Sequence, residues 1–151
     1  MSKVSESTDL NIKKLGGAMD VIVKKVLIDF IYAMNMWEST YYPLVRDKGI
    51  LSVKDDMSNE LNKIFELYCT KKERKLGRQV ALSCTEPPTY SLDEEIIGQE
   101  ESKRKFIIYT RQHTGLKNEY KYTLLLKDKV WLLEKKDRFS FYENKWVKDN
   151  L

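Results

Sequence analysis

Ile22, Val26, Phe30 and Met34 recur every four residues, and Val23, Leu27 and Ile31 run beside them. Lys24, Lys25 and Asp29 fall mostly on the opposite side. This spacing predicts a long amphipathic helix over roughly 19–40. An apolar stripe of that length has to be covered by another layer of structure. Pro43 is expected to end the helix, and Gly49 to lie in the loop that follows.

A second helix is expected from Asp55, Asp56 or Ser58, each a capping residue. Its stripe is Met57, Leu61, Ile64, Phe65 and Tyr68. The basic run Lys71, Lys72, Arg74, Lys75 suits the C-terminal end of such a helix, where the backbone dipole favours cations. Gly77 would stop it. Beyond Gly77 the period shifts toward two. Val80–Cys84 reads as a short strand that Pro87-Pro88 breaks. Residues 94–101, 105–112, 119–127 and 130–137 read as successive strands. Gly115 marks one turn and Lys127-Asp128-Lys129 a tighter one, so the pairing is expected to be antiparallel. The aromatic tail Phe139, Phe141, Tyr142, Trp146 is expected to dock. Helices followed by a meander give an α+β domain whose sheet wraps the long helix.

With 151 residues, 42% of them hydrophobic, the chain can build one core. We expect a flexible arm over 1–17, ending at Gly16-Gly17, and a single domain over 18–151. The net charge of +4 is mild for a dedicated nucleic-acid binder. No run reaches the length a membrane span needs, and the polar N-terminus lacks signal-peptide order. Cys69 and Cys84 are too few for a disulfide scaffold. These features predict a soluble cytoplasmic protein with free thiols.

The residues offer little catalytic chemistry. His113 is the single histidine, and with two distant cysteines it cannot supply a usual zinc set. Gly16-Gly17 is followed by no Gly-Lys-Ser/Thr, and there is no Gly-x-Ser-x-Gly elbow. No metal or cofactor is expected. Asp29 has two readings: a general base in an apolar pocket, or a surface partner of Lys25 four residues away. Asp93, Glu94, Glu95, Glu100 and Glu101 crowd one short span with no base between them. They form either a solvated strand edge or a docking surface. The run Lys71–Arg78 is read as a helix terminus. Tyr120 and Tyr122 must share one sheet face, and with Tyr109 they line either a core or a contact surface. Trp37, Trp131 and Trp146 read as core anchors.

The order of several segments is informative. Met34-Asn35-Met36-Trp37-Glu38 comes first, then Pro87-Pro88-Thr89-Tyr90 and Glu94-Glu95-Ile96-Ile97. Ile107-Ile108-Tyr109-Thr110, Tyr120-Lys121-Tyr122-Thr123-Leu124 and Val130–Lys136 follow, with Lys145-Trp146 at the close. This order resembles the immunity proteins with a nuclear-transport-factor-2-like fold, from bacterial polymorphic toxin systems of the Rhs and contact-dependent inhibition types. The resemblance covers roughly 20–150. It implies a cone, with N-terminal helices packed in a strongly curved antiparallel sheet, and no enzymatic activity.

The resemblance also implies a partner: the C-terminal domain of one cognate toxin, bound 1:1 and blocked. Many such toxins are nucleases, and Asp93, Glu94, Glu95, Glu100 and Glu101, with Tyr109, Tyr120 and Tyr122, would then face a basic active site. No direct nucleic-acid or membrane contact is implied. The alternative is a small-molecule isomerase, dehydratase or ligand-binding protein of the same fold, which needs an open cavity holding a carboxylate such as Asp29.

Overall fold

A computed structural model describes residues 8–74, 77–79 and 82–151. Helix α1 spans Thr8–Lys48 and α2 spans Ile50–Tyr68. Five strands follow: β1 Glu95–Glu101, β2 Lys105–Arg111, β3 Glu119–Lys127, β4 Val130–Ser140 and β5 Lys145–Asp149. The sheet order is β1-β2-β3-β4-β5, every pair antiparallel, as the alternation and short turns predict. No helix among the described residues is long and apolar enough to cross a membrane.

The stripe of α1 packs inward from Val23 onward, while Ile22 at its start is exposed and Val26 only partly buried. Val23, Leu27, Phe30, Met34 and Trp37 are buried, and from α2 so are Val53, Met57, Leu61 and Phe65. The Trp37 indole N–H donates to the Met57 carbonyl at 3.0 Å, which fixes the two helices against each other. One residue, Gly49, joins them. Its φ of 84° and ψ of 151° lie where side chains are excluded, and its N–H bonds the Val45 carbonyl at 2.8 Å. That reversal starts α2 at Ile50, ahead of the capping residues expected at 55–58.

The helix limits differ from expectation in other ways. α1 begins ahead of residue 19, crosses the expected arm–domain boundary at residue 17, and runs through Gly16-Gly17 and Pro43. Residues 1–7 of the expected arm lie outside the described residues. Proline tolerates a helix where the carbonyl four residues back can bond water, and Ser39 is exposed. α2 ends at Tyr68 rather than Gly77, because Cys69 turns extended and bridges to Leu133 of β4. The Thr70 N–H donates to the Leu133 carbonyl at 2.8 Å. Lys71–Arg74 of the basic run therefore lie in a segment laid on β4 and not at a helix terminus, and Lys75 lies outside the described residues. Of the strand expected at 80–84, residues 80 and 81 lie outside the described residues and 82–84 form no strand.

Phe106, Ile108, Tyr120, Tyr122, Leu124, Trp131 and Leu133 form the inner face of the sheet. Phe30 makes edge-to-face contacts with Phe65 of α2 at 5.9 Å and with Tyr90, ahead of β1, at 5.4 Å. Bulges between Ile96 and Gly98 and between Thr123 and Leu124 bend the strands. Asp128 and Lys129 both have positive φ, which matches the two-residue hairpin between β3 and β4.

A Cβ at Gly49 would meet no atom within 4 Å, so a substitution there isolates backbone strain from packing. Gly49→Ala is expected to cost about 1–3 kcal/mol in urea unfolding with an unchanged m-value. A neutral result would show that the helix reversal does not need this conformation.

Candidate functional site

Glu38 lies four residues beyond Met34 on the buried face of α1 and is 0% exposed. A carboxylate there needs donors. It accepts the backbone N–H groups of Thr89 at 2.7 Å, Thr85 at 3.2 Å and Tyr90 at 3.3 Å. The Arg78 guanidinium stands 3.2 Å away as its counter-charge. Glu38 thus fixes segment 85–90 to α1, helped by the Asn35 amide, which donates to the Tyr90 carbonyl at 2.7 Å.

Tyr90 opens a second polar layer. The Lys136 ammonium lies 4.2 Å from the ring centres of Tyr90 and Tyr120 and 5.9 Å from that of Tyr122. The Asp149 carboxylate is 4.0 Å from it. Glu94 accepts from Thr110 at 2.6 Å, Tyr122 at 2.8 Å and Gln112 at 3.0 Å. Burial pushes the Tyr90 and Tyr122 hydroxyls well above their ordinary pKa. It raises the Cys69 thiol to about 12 and the Cys84 thiol to about 11, so neither supplies a thiolate near neutrality. Asp29 pairs with Lys25 at 2.6 Å on the solvent side of α1, outside this interior. That geometry matches the surface-partner reading and gives a general base no pocket.

The structure divides the expected contact residues. Tyr120 and Tyr122 are buried, and Glu94 is partly buried with its carboxylate bonded inward. Glu95, Glu100 and Glu101 are exposed on edge strand β1. Asp93 is partly buried, and the Ser91 hydroxyl bonds it at 2.6 Å and draws its carboxyl below the ordinary range. Glu95 meets the His113 ring at 2.7 Å. Tyr109 lies on the outer face and donates to Glu100 at 2.8 Å.

Trp146 is not a core anchor. It is half-buried on the same outer face, 5.7 Å from Tyr109 and 5.3 Å from Phe139. The Lys121 ammonium stands 5.2 Å from its ring centre. Phe141, 62% exposed, and Tyr142, 98% exposed, extend the aromatic surface into the β4–β5 turn. The spacing of Phe139 and Phe141 carried this signal, but β4 runs to Ser140, beyond the expected end at 137.

Comparison with known proteins places these features. The family model described as "NTF2 fold immunity protein" matches residues 22–150. "Immunity protein RhsIA" of Dickeya dadantii (strain 3937) is 52% identical over 128 residues, covering 85% of this chain and 95% of that protein. No solved structure matches.

Lys136 makes the interior sensitive to pH. Burial pushes its ammonium down to about 8, against the attraction of Asp149, Glu94 and Glu38, while Arg78 lowers it further. The unfolded chain keeps the proton up to about pH 10.4. Between these values the unfolded state binds more protons, so stability rises with pH, by at most about 1.4 kcal/mol per pH unit. Lys136→Met is therefore expected to match or exceed the parent's stability at pH 7, with its advantage shrinking by pH 9.5. Denaturant unfolding at both pH values checks this, and an advantage that grows with pH would refute the burial cost.

Proposed function

The chain belongs to the NTF2 fold immunity protein family, and we propose that it neutralises its cognate toxin by stoichiometric occlusion. The toxin's C-terminal domain is bound 1:1 in the cytoplasm, which protects the producing cell and its siblings. The setting is a polymorphic toxin system of the Rhs or contact-dependent inhibition type. Immunity is a binding task, and the interior matches it. The carboxylate an isomerase would need in a pocket, Asp29, pairs with Lys25 on the surface instead.

The observation that carries the proposed contact is the outer face of the sheet. Tyr109, Phe141, Tyr142 and Trp146 offer aromatic area beside the exposed acids Glu95 and Glu100, and Glu101 is exposed at the end of the same edge strand. Aromatic anchors supply most of the energy in specific interfaces, and flanking charge speeds and orients encounter. Exposed acids suit a toxin with a basic surface, such as a nuclease active site.

Calorimetry against the toxin C-terminal domain encoded by the gene immediately upstream tests both parts. A saturable 1:1 complex of nanomolar affinity is expected, and no complex between two folded proteins would overturn occlusion. Trp146→Ala is expected to cost about 2 kcal/mol of binding energy. Joint reversal of Glu95, Glu100 and Glu101 to lysine should weaken binding at least tenfold, mainly through slower association. Unchanged affinity in both variants would move the contact to another face.

A further inference from the structure

A cavity of about 530 Å³ opens between the segment after α2, β4 and β5. Lys72, Arg74, Lys135 and Lys136 lie on its wall with Glu73, Glu134, Asp149 and the chain-terminal Leu151. The acids are partly committed already. Glu134 accepts from Lys72 and from Thr70, both at 2.7 Å. Asp149 stands 4.0 Å from Lys136, beyond hydrogen-bond reach.

Arg74 is held in place by backbone oxygens. It donates to the Thr70 carbonyl at 2.9 Å and the Glu134 carbonyl at 3.3 Å. Carbonyls orient the guanidinium without neutralising it. Lys136 is only 2% exposed and still forms part of the wall. Its neighbours are the tyrosine ring faces, which attract the charge but accept no conventional hydrogen bond from its protons. A buried ammonium with that surrounding is costly to keep. The cavity therefore holds a fixed guanidinium and a desolvated ammonium, within a volume typical of small-ligand sites.

We infer that this cavity is a binding site for a small oxyanion with two or more negative charges, carried by phosphate or carboxylate groups. Lys136 neutralises the anion, Arg74 sets its orientation, and Lys72 with Glu134 forms one side of the entrance. The site lies apart from the outer aromatic face and does not depend on the toxin contact proposed above.

The test is calorimetry of the full chain with inorganic pyrophosphate and with citrate, at low ionic strength. Saturable 1:1 binding of at least one probe at millimolar concentration or below is expected, and the preferred probe identifies the anionic group. Lys136→Met and Arg74→Met should each weaken it at least fivefold. Lys54→Met, on the exposed side of α2, should not. Circular dichroism and thermal melting establish that the Lys136 and Arg74 variants fold, and Arg74, only partly buried, gives a second reading from outside the core. Absence of saturation in the parent overturns the inference. So does equal loss in all three variants, which would reveal diffuse attraction by net charge, or no loss in the two cavity variants.

Discussion

The architecture depends on a carboxylate placed where an apolar residue would ordinarily sit. Glu38 continues the Phe30–Met34 row of α1 into the interior, and three backbone N–H groups and Arg78 converge on it. Segment 85–90 has neither helix nor strand to satisfy its amides. Glu38 supplies that satisfaction and so converts an irregular stretch into a fixed wall. A buried ion pair contributes modestly to net stability, but losing one partner leaves the other charge stranded. The residue thus specifies position more than it adds energy.

From that wall the order propagates by contact. Tyr90, held by Glu38 and Asn35, turns one ring face to Lys136 and meets Phe30 edge-on. Lys136 is the register partner of Tyr122, whose hydroxyl donates to Glu94 at the approach to β1. A chain of polar contacts therefore runs from α1 through the loop and β4 to the first strand. Apolar packing alone is non-directional and tolerates slippage, whereas this chain accepts one arrangement.

Much of the layout was legible from period alone. The four-residue stripe gave the inner face of α1, and the two-residue alternation located β1 to β4 within a few residues. Element ends were less legible, because tertiary contacts decide them. α2 stops where Cys69 and Thr70 find Leu133 on β4, a pairing no local propensity encodes. The same holds for the candidate contact residues. Alternation showed that Tyr120 and Tyr122 share a face, but which face needed the helices' position. Glu38 lies one step past Met34, where the stripe read from the sequence ended, and its backbone donors come from residues about fifty places along the chain. Trp146 was read as core because large aromatics usually are; its place beside Phe139 on the outer face follows from the β4–β5 register.

The neighbouring residues Glu94 and Glu95 show how fold and recognition can share one strand. Glu94 takes hydrogen bonds from three side chains of β2, β3 and the following turn, so altering it would disturb the interior. Glu95, one residue later, faces solvent and meets only His113 among the described contacts. Successive strand residues point to opposite faces, so the two demands separate at the spacing of a single peptide unit. A toxin-contact surface on the outer positions could then diverge without disturbing the polar chain inside. The buried acids and tyrosines define the scaffold, and the exposed acids and aromatics are free to define the partner.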